Sequence, residues 1–311
     1  MDVTISIIIP VFNNERSIRR CLDSIVNQDT HFAYEVILVC DPCKDKTLDI
    51  IKEYEKRYSF IYHIDVTTRS IALARKKGIE SSKGRYLMFI DADDYYTYDA
   101  ITTMLQAISR NDADIAVGNY YYVKKGKNKK NLLSKNISYD KAGMLKALMQ
   151  DTYMHGFMWN KIYKASLLKD SNYVYPKGNI IREDVLTNFQ VFLKANKLVQ
   201  FKKPVYYYDK TFESTTSMKD KTRIPWFINI FAAERHLIEK YQPELLNMYL
   251  SFHLRRKLLI FGDEIIMKSS YAFKDFIRLI REDKKHLKVL KQKGNLKTEG
   301  MPWESFIKSF K

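Results

Sequence analysis

At 311 residues, with 46% apolar and 29% charged side chains and only seven prolines and ten glycines, the chain has the makeup of a folded protein with a substantial core, which excludes disordered and collagen-like classes. Cys21, Cys40 and Cys43 are too few for a disulfide framework, and no run reaches the roughly 20 apolar residues that span a bilayer. The net charge is +17, and residues 201–311 carry 23 basic against 13 acidic side chains, so nucleic acid, an anionic membrane surface and phosphorylated substrates are the partners to weigh.

Ile5 to Val11 is a nearly continuous β-branched run, too short and too lacking in a basic leader for a secretory signal, so the chain is expected to be cytoplasmic. It ends in Phe12-Asn13-Asn14, after which Ile18, Cys21, Leu22, Ile25 and Val26 recur at helical spacing. The unit repeats: strand Glu35 to Cys40, a helix through Thr47, Leu48, Ile50, Ile51 and Tyr54, strand Phe60 to Ile64, a helix over Ile71 to Ser81, and strand Tyr86 to Ile90. Strands alternating with helices predict an α/β fold, a mostly parallel sheet with helices on both faces, and ligands in such sheets bind beyond the carboxyl ends of the strands. Lys124 to Lys130 reads as an exposed loop. From about Thr222 the pattern turns helical and basic.

Asp91-Ala92-Asp93-Asp94 follows the fourth strand directly. Three carboxylates so close repel one another, and a hard cation such as Mg²⁺ or Mn²⁺ relieves that repulsion while bridging to a substrate diphosphate. A short D-x-D also suits a capping loop, so the motif alone leaves both readings open.

The wider pattern is more specific. Ser6 to Asn13, Cys21-Leu22-Asp23-Ser24-Ile25 with Gln28, Glu35 to Val39, Ala74-Arg75 with Gly78-Ile79, and Lys83 to Asp94 together resemble glycosyltransferase family 2, in order and at matching spacing over the first hundred residues. The resemblance implies a GT-A, Rossmann-like domain over about 1–217, inverting transfer from a nucleotide-sugar, usually UDP-linked, and a glycan or lipid-linked acceptor in bacterial surface polysaccharide synthesis. It implies nucleotide contacts from Pro10, Phe12, Asn13, Asp41, Arg75, Asp91 and Ala92, with metal contacts from Asp93, Asp91 and Asp94. Asp184, in Ile181-Arg182-Glu183-Asp184, matches the family's catalytic base, with Glu183, Trp159 and Lys161 on the acceptor side. Trp159 suits either a sugar ring or the core. Ser214 to Ser217 echoes a segment whose hydroxyls meet phosphate.

The sequence departs from the family at Cys40-Asp41-Pro42-Cys43, where Asp-Asp-Gly-Ser is usual, and at Lys76, where Asn is usual. Cys-Asp-Pro-Cys after a strand also mimics a thiol redox motif, although that reading leaves the acidic cluster unexplained. A basic helical extension is expected over 218–311. Leu254 to Lys297 holds 13 basic and five acidic residues among apolar ones, a pattern that suits either docking on an anionic inner membrane face or packing on protein. Nucleic-acid binding is not expected, since no recognised motif accompanies the charge.

Overall fold

The computed structural model describes residues 3–124, 127–130, 135–150, 156–169, 173–175, 182–211, 223–246 and 248–250. The chain packs as two units, up to Phe227 and from Ile228 onward. The expected boundary near 217, Ser214 to Ser217 and the basic stretch from Leu254 lie outside the described residues.

The first unit is built on one mixed sheet. Its strands are β1 (Ile5–Val11), β2 (Tyr34–Cys40), β3 (Ile61–Asp65), β4 (Tyr86–Phe89), β5 (Tyr95–Tyr96), β6 (Ile115–Lys124), β7 (Lys127–Lys130), β8 (Ile137–Asp140), β9 (Lys161–Lys164) and β10 (Lys197–Asp209). They run in the order β3-β2-β1-β4-β9-β6-β10-β5, with β7 beside β6 and β8 beside β10. The first four strands are mutually parallel, as the alternating pattern predicts. Beyond β4 the sheet is mixed, because β9 enters antiparallel between β4 and β6. Lys124 to Lys130, read as a loop, instead contributes a strand that pairs β7 with β6.

The parallel half is buried from both sides, and Ile5, Ile7, Ile8 and Ile9 are fully enclosed. Helices α1 (Ile18–Val26), α2 (Thr47–Arg57) and α3 (Ile71–Ser81) connect its strands, followed by α4 (Ala100–Arg110), α5 (Lys141–Gln150), α6 (Ala165–Leu168) and α7 (Glu183–Lys194). Gly78 lets α3 lie close on β1: a Cβ there would stand 2.4 Å from Ile8 Cγ2. Gln28 ties α1 to α4, its Nε2 donating to Thr97 O and its Oε1 accepting from Ile101 N.

Beneath the strands a buried polar knot fixes the entry to β4. Ser6 Oγ donates to Glu35 Oε1 at 2.6 Å, and the amides of Lys83 and Gly84 donate to Glu35 Oε1 and Ser6 Oγ. Buried polar groups are stable only when paired, so these bonds explain why Lys83-Gly84 turns here and aims β4 at the acids that follow it. Helix α8 (Arg223–Tyr241) begins before the unit boundary, and its Glu234, in the second unit, accepts at Oε2 from Tyr249 Oη at 3.1 Å. No helix among the described residues is long and apolar enough to cross a membrane.

Candidate active site

The expected nucleotide and metal positions gather at the carboxyl ends of β1, β2 and β4. The loop after β1 runs from Pro10 through exposed Phe12 to Asn13, whose φ of 53° turns the chain sharply. It is stitched to the segment after β2 by neutral bonds and by two bonds to carboxylates, Glu15 N donating to Asp45 Oδ2 and Lys46 N to Glu15 Oε2, each at 3.1 Å. Asn13 N approaches Cys43 Sγ at 3.4 Å, Lys44 N donates to Asn13 Oδ1 at 2.8 Å, and Asn14 N donates to Thr47 Oγ1 at 2.7 Å. Asp41 is buried, accepting from Thr68 Oγ1 at 3.1 Å and Arg69 N at 2.9 Å, so it organises the approach to α3.

All three cysteines are free. Burial pushes the Cys40 thiol up to about 12 and raises that of Cys43 as well. A redox dithiol needs a lowered thiol pKa, so this pair is poorly suited to thiolate chemistry. Cys43 instead acts where the family has Ser, donating from Sγ to Asp41 O at 3.3 Å.

The acids after β4 do not converge as a set. Asp91 and Asp93 are half-buried, while Ala92 is buried and Asp94 is only 1% exposed. Asp94 Oδ2 accepts from Tyr206 Oη at 2.7 Å and its Oδ1 from Asp209 N at 2.7 Å. Both its oxygens thus hold the end of β10, and we leave Asp94 out of the proposed ligand set. Burial, with the charges of Asp93 and Asp91, raises its pKa well above the usual carboxylate range. Burial and the charge of Asp91 push Asp93 up to about 6.

Arg20 and Asp209 are not marked by the sequence, and Tyr206 is marked only as part of Pro204 to Tyr208, which with Ser214 to Ser217 echoes the family's closing segment. Arg20 Nη2 donates to Asp93 O at 2.9 Å, its Nη1 lies 2.6 Å from Asp209 Oδ2, and its guanidinium lies 4.5 Å from the Tyr95 ring centroid. Asp209 ends a strand, so the rule that singled out Asp41 and Asp91 could have found it. Arg20 carries no such signal.

Arg75 is expected at the nucleotide, but its guanidinium joins two acids. Nη2 is 2.8 Å from Asp91 Oδ1 and Nη1 is 2.7 Å from Glu183 Oε1. Glu183, expected on the acceptor side, is therefore buried against Arg75, and burial with the charge of Asp184 pushes it up to about 7. Asp184 is half-buried one residue into α7, and its Oδ1 accepts from Val185 N at 2.8 Å. Acids in a first helical turn also suit the helix dipole.

Trp159 and Lys161 are enclosed. The Trp159 ring stacks with Tyr206, Phe157 and Tyr208 at centroid distances of 4.3, 4.7 and 5.3 Å, which answers the open choice in favour of the core. Lys161 is 0% exposed, its Nζ donating to Phe157 O and Asn160 Oδ1. A cation on a buried strand must spend its donors on nearby oxygens, as Lys161 does.

Among the described residues no group of three or more His, Cys, Asp or Glu side chains is placed to hold a metal ion. A Mg²⁺-like ion commonly takes only one or two protein carboxylates and completes its shell with substrate phosphates and water. Asp91 and Asp93 fit that limited role, since both are half-buried carboxylates with the hard oxygen donors such an ion takes.

A parallel half-sheet with its chemistry at the strand ends is the nucleotide-binding arrangement of the GT-A fold. The chain belongs to glycosyl transferase family 2, whose model matches residues 6–185. It is 31% identical over 217 residues to glycosyltransferase GlyA of Streptococcus pneumoniae, covering 67% of this chain and 31% of that protein. It is 33% identical over 208 residues to the poly(ribitol-phosphate) beta-glucosyltransferase of Bacillus spizizenii, covering 66% and 32%. The chain thus spans about a third of the length of these relatives. Among solved structures, Staphylococcus aureus TarS 1–349 in complex with UDP-GlcNAc aligns with a TM-score of 0.69 at 20% identity, covering 81% of this chain and 73% of that one, which supports the fold.

Proposed function

We propose that this chain transfers a hexose-type residue, with inversion, from a UDP-sugar to a glycan or lipid-linked acceptor in bacterial cell-surface glycan synthesis. The carrying observation is the placement of Asp91 and Asp93 at the end of β4, with Asp184 on α7 tied to the same corner through Glu183 and Arg75. Similarity to the poly(ribitol-phosphate) glucosyltransferase and to the UDP-GlcNAc complex of TarS supports the donor and acceptor classes.

In this reading the loops after β1 and β2 seat the nucleoside, and Asp91 and Asp93 are the residues that would hold Mg²⁺ or Mn²⁺. When bound, the cation supplies charge neutralisation to the departing diphosphate. Asp184 takes the proton from the acceptor hydroxyl as its oxygen bonds to the anomeric carbon. The bond from that carbon to the UDP oxygen breaks on the opposite face, which inverts the centre. The reading places the protein at the cytoplasmic face of the membrane, where lipid-linked acceptors are within reach.

The test is a thermal-shift screen of UDP-sugars with and without Mn²⁺, followed by measurement of UDP release. Ligand that binds only the folded state raises the midpoint, so a Mn²⁺-dependent rise with one UDP-sugar is expected. Absence of both the shift and UDP release across UDP-glucose, UDP-GlcNAc and UDP-galactose would overturn the proposal.

A further inference from the structure

We infer that Glu183 is a positioning residue, acting through Arg75 and the first turn of α7 to set Asp184 against the donor corner. This rests on the reading of Asp184 as the base.

The geometry joins two distant parts of the chain through one buried group. Arg75 is 4% exposed and reaches Asp91 at the end of β4 with one nitrogen and Glu183 at the start of α7 with the other. Its planar fork can satisfy two carboxylates at fixed angles, which a flexible ammonium would not do as well. Removing Arg75 would leave two carboxylates without their shared cation, and removing either acid would leave one arm of the buried guanidinium without its partner, so the three groups constrain one another.

Entry to α7 is constrained as well. Arg182 has a φ of 75°, in the left-handed region, a conformation that is strained for a non-glycine residue. Such a turn persists where its surroundings over-determine it, and the Glu183–Arg75 bond is one restraint immediately after it. Asn188, one turn further on, supplies another. Its Nδ2 donates to Asp184 O at 3.1 Å and to Gly156 O at 2.7 Å, while its Oδ1 accepts from Tyr163 Oη at 2.7 Å.

Asp184 is therefore braced from its backbone and from its neighbour, while among the described residues its own Oδ1 makes only the local bond to Val185 N. Glu183 is 8% exposed with Oε1 on Arg75, so it is committed to the protein. The consequence is that the base and the donor carboxylate Asp91 are registered by a single guanidinium.

The full chain with Mn²⁺ and the UDP-sugar that it hydrolyses fastest gives the test, with UDP release to water as turnover and UDP affinity measured by calorimetry. Glu183→Gln should lower kcat about 10- to 100-fold, as expected for a misplaced reacting group, with the UDP Kd changed less than about 2-fold. Because Glu183 acts through Asp184, the double variant Glu183→Gln/Asp184→Asn should be no slower than Asp184→Asn alone. Additive losses, or a weakened Kd with unchanged kcat, would overturn the positioning role. If Glu183→Gln loses turnover while Asp184→Asn keeps it, Glu183 is itself the acting acid and the inference fails. Normal turnover in both would remove the base reading and this one together, whereas loss with Asp184→Asn but not Glu183→Gln would remove this one alone. Should Glu183→Gln not fold, Glu183→Asp, which keeps the charge but shortens its reach to Arg75, is used in the same comparison, with the same non-additivity expected.

Discussion

The loops after β1 and β2 and the corner after β4 share one rim of the sheet, yet they are held by opposite means. The first pair is joined by bonds between exposed or half-buried groups, some neutral, such as Lys44 N to Asn13 Oδ1 and Asn14 N to Thr47 Oγ1, and some to exposed carboxylates, as Glu15 N to Asp45 Oδ2 and Lys46 N to Glu15 Oε2. The acid corner is held by buried groups with several partners each, Arg75 on two acids and Asp94 on Tyr206 and Asp209, with the partly exposed Arg20 paired to buried Asp209. Exposed neutral bonds contribute little individually because water replaces them, whereas a buried charged group leaves its partners stranded when it is lost. The nucleoside side should therefore tolerate substitution, and the acid corner should not.

Asp93→Asn sharpens this contrast most. UDP release should fall by about 10³-fold, on the scale of losing a principal transition-state electrostatic contact. The folded protein should nevertheless become more stable at pH 7.5. Asp93 has a folded pKa of about 6, above its ordinary value, so ionising it costs the folded state. That cost is absent below about pH 4, grows as pH rises towards 6 and is complete above it. Thermal melts should show the variant above wild type at pH 7.5 and level with it near pH 4; a lower midpoint at pH 7.5 would contradict the assigned environment.

The same pKa gives the next largest effect. A cation needs Asp93 ionised, so Mn²⁺-dependent UDP affinity should weaken as pH falls below about 6, approaching 10-fold per pH unit. Calorimetry at several pH values checks the slope, and a flat profile from pH 7 to 5 would separate Asp93 from the metal.

Asp94→Ala breaks the comparison differently, by acting on structure. It strands Asp209 N and Tyr206 Oη, and a loss of about 1–3 kcal/mol is expected in denaturant titration. A specific loss of Mn²⁺ dependence, with stability unchanged, would return Asp94 to the ligand set. The smallest effect is expected on the nucleoside side: Cys43→Ser should change UDP release by less than about 2-fold, since Ser can take over the hydrogen bond to Asp41 O. Abolished turnover in that variant would revive a thiol role.

How much was legible follows from where each signal is written. The parallel strands stood out because both of their faces are buried, leaving runs such as Ile7-Ile8-Ile9 without polar interruption. Asp41 and Asp91 were legible because they sit at strand ends. Antiparallel β9 and the pairing of β7 were not, since short strands placed by the rest of the sheet carry little periodicity of their own. Nor does local sequence reveal that Arg75 meets Glu183, 108 positions away, or that Trp159 and Lys161 turn inward. Those outcomes depend on packing. The basic C-terminal stretch, with its membrane and protein alternatives, is approached directly by sedimentation with anionic and neutral liposomes.

The Tyr206 hydroxyl occupies a position where ring size and oxygen answer to separate demands. Its oxygen receives the Asp91 amide at 3.2 Å while its hydrogen points to Asp94 at 2.7 Å, so the rotor is locked in one orientation. Phenylalanine would fill the same space and stack equally well on Trp159, but it would silence both directions of that exchange. A single phenolic proton, slow to leave for solvent, is thus the marker by which NMR could follow whether this corner stays closed.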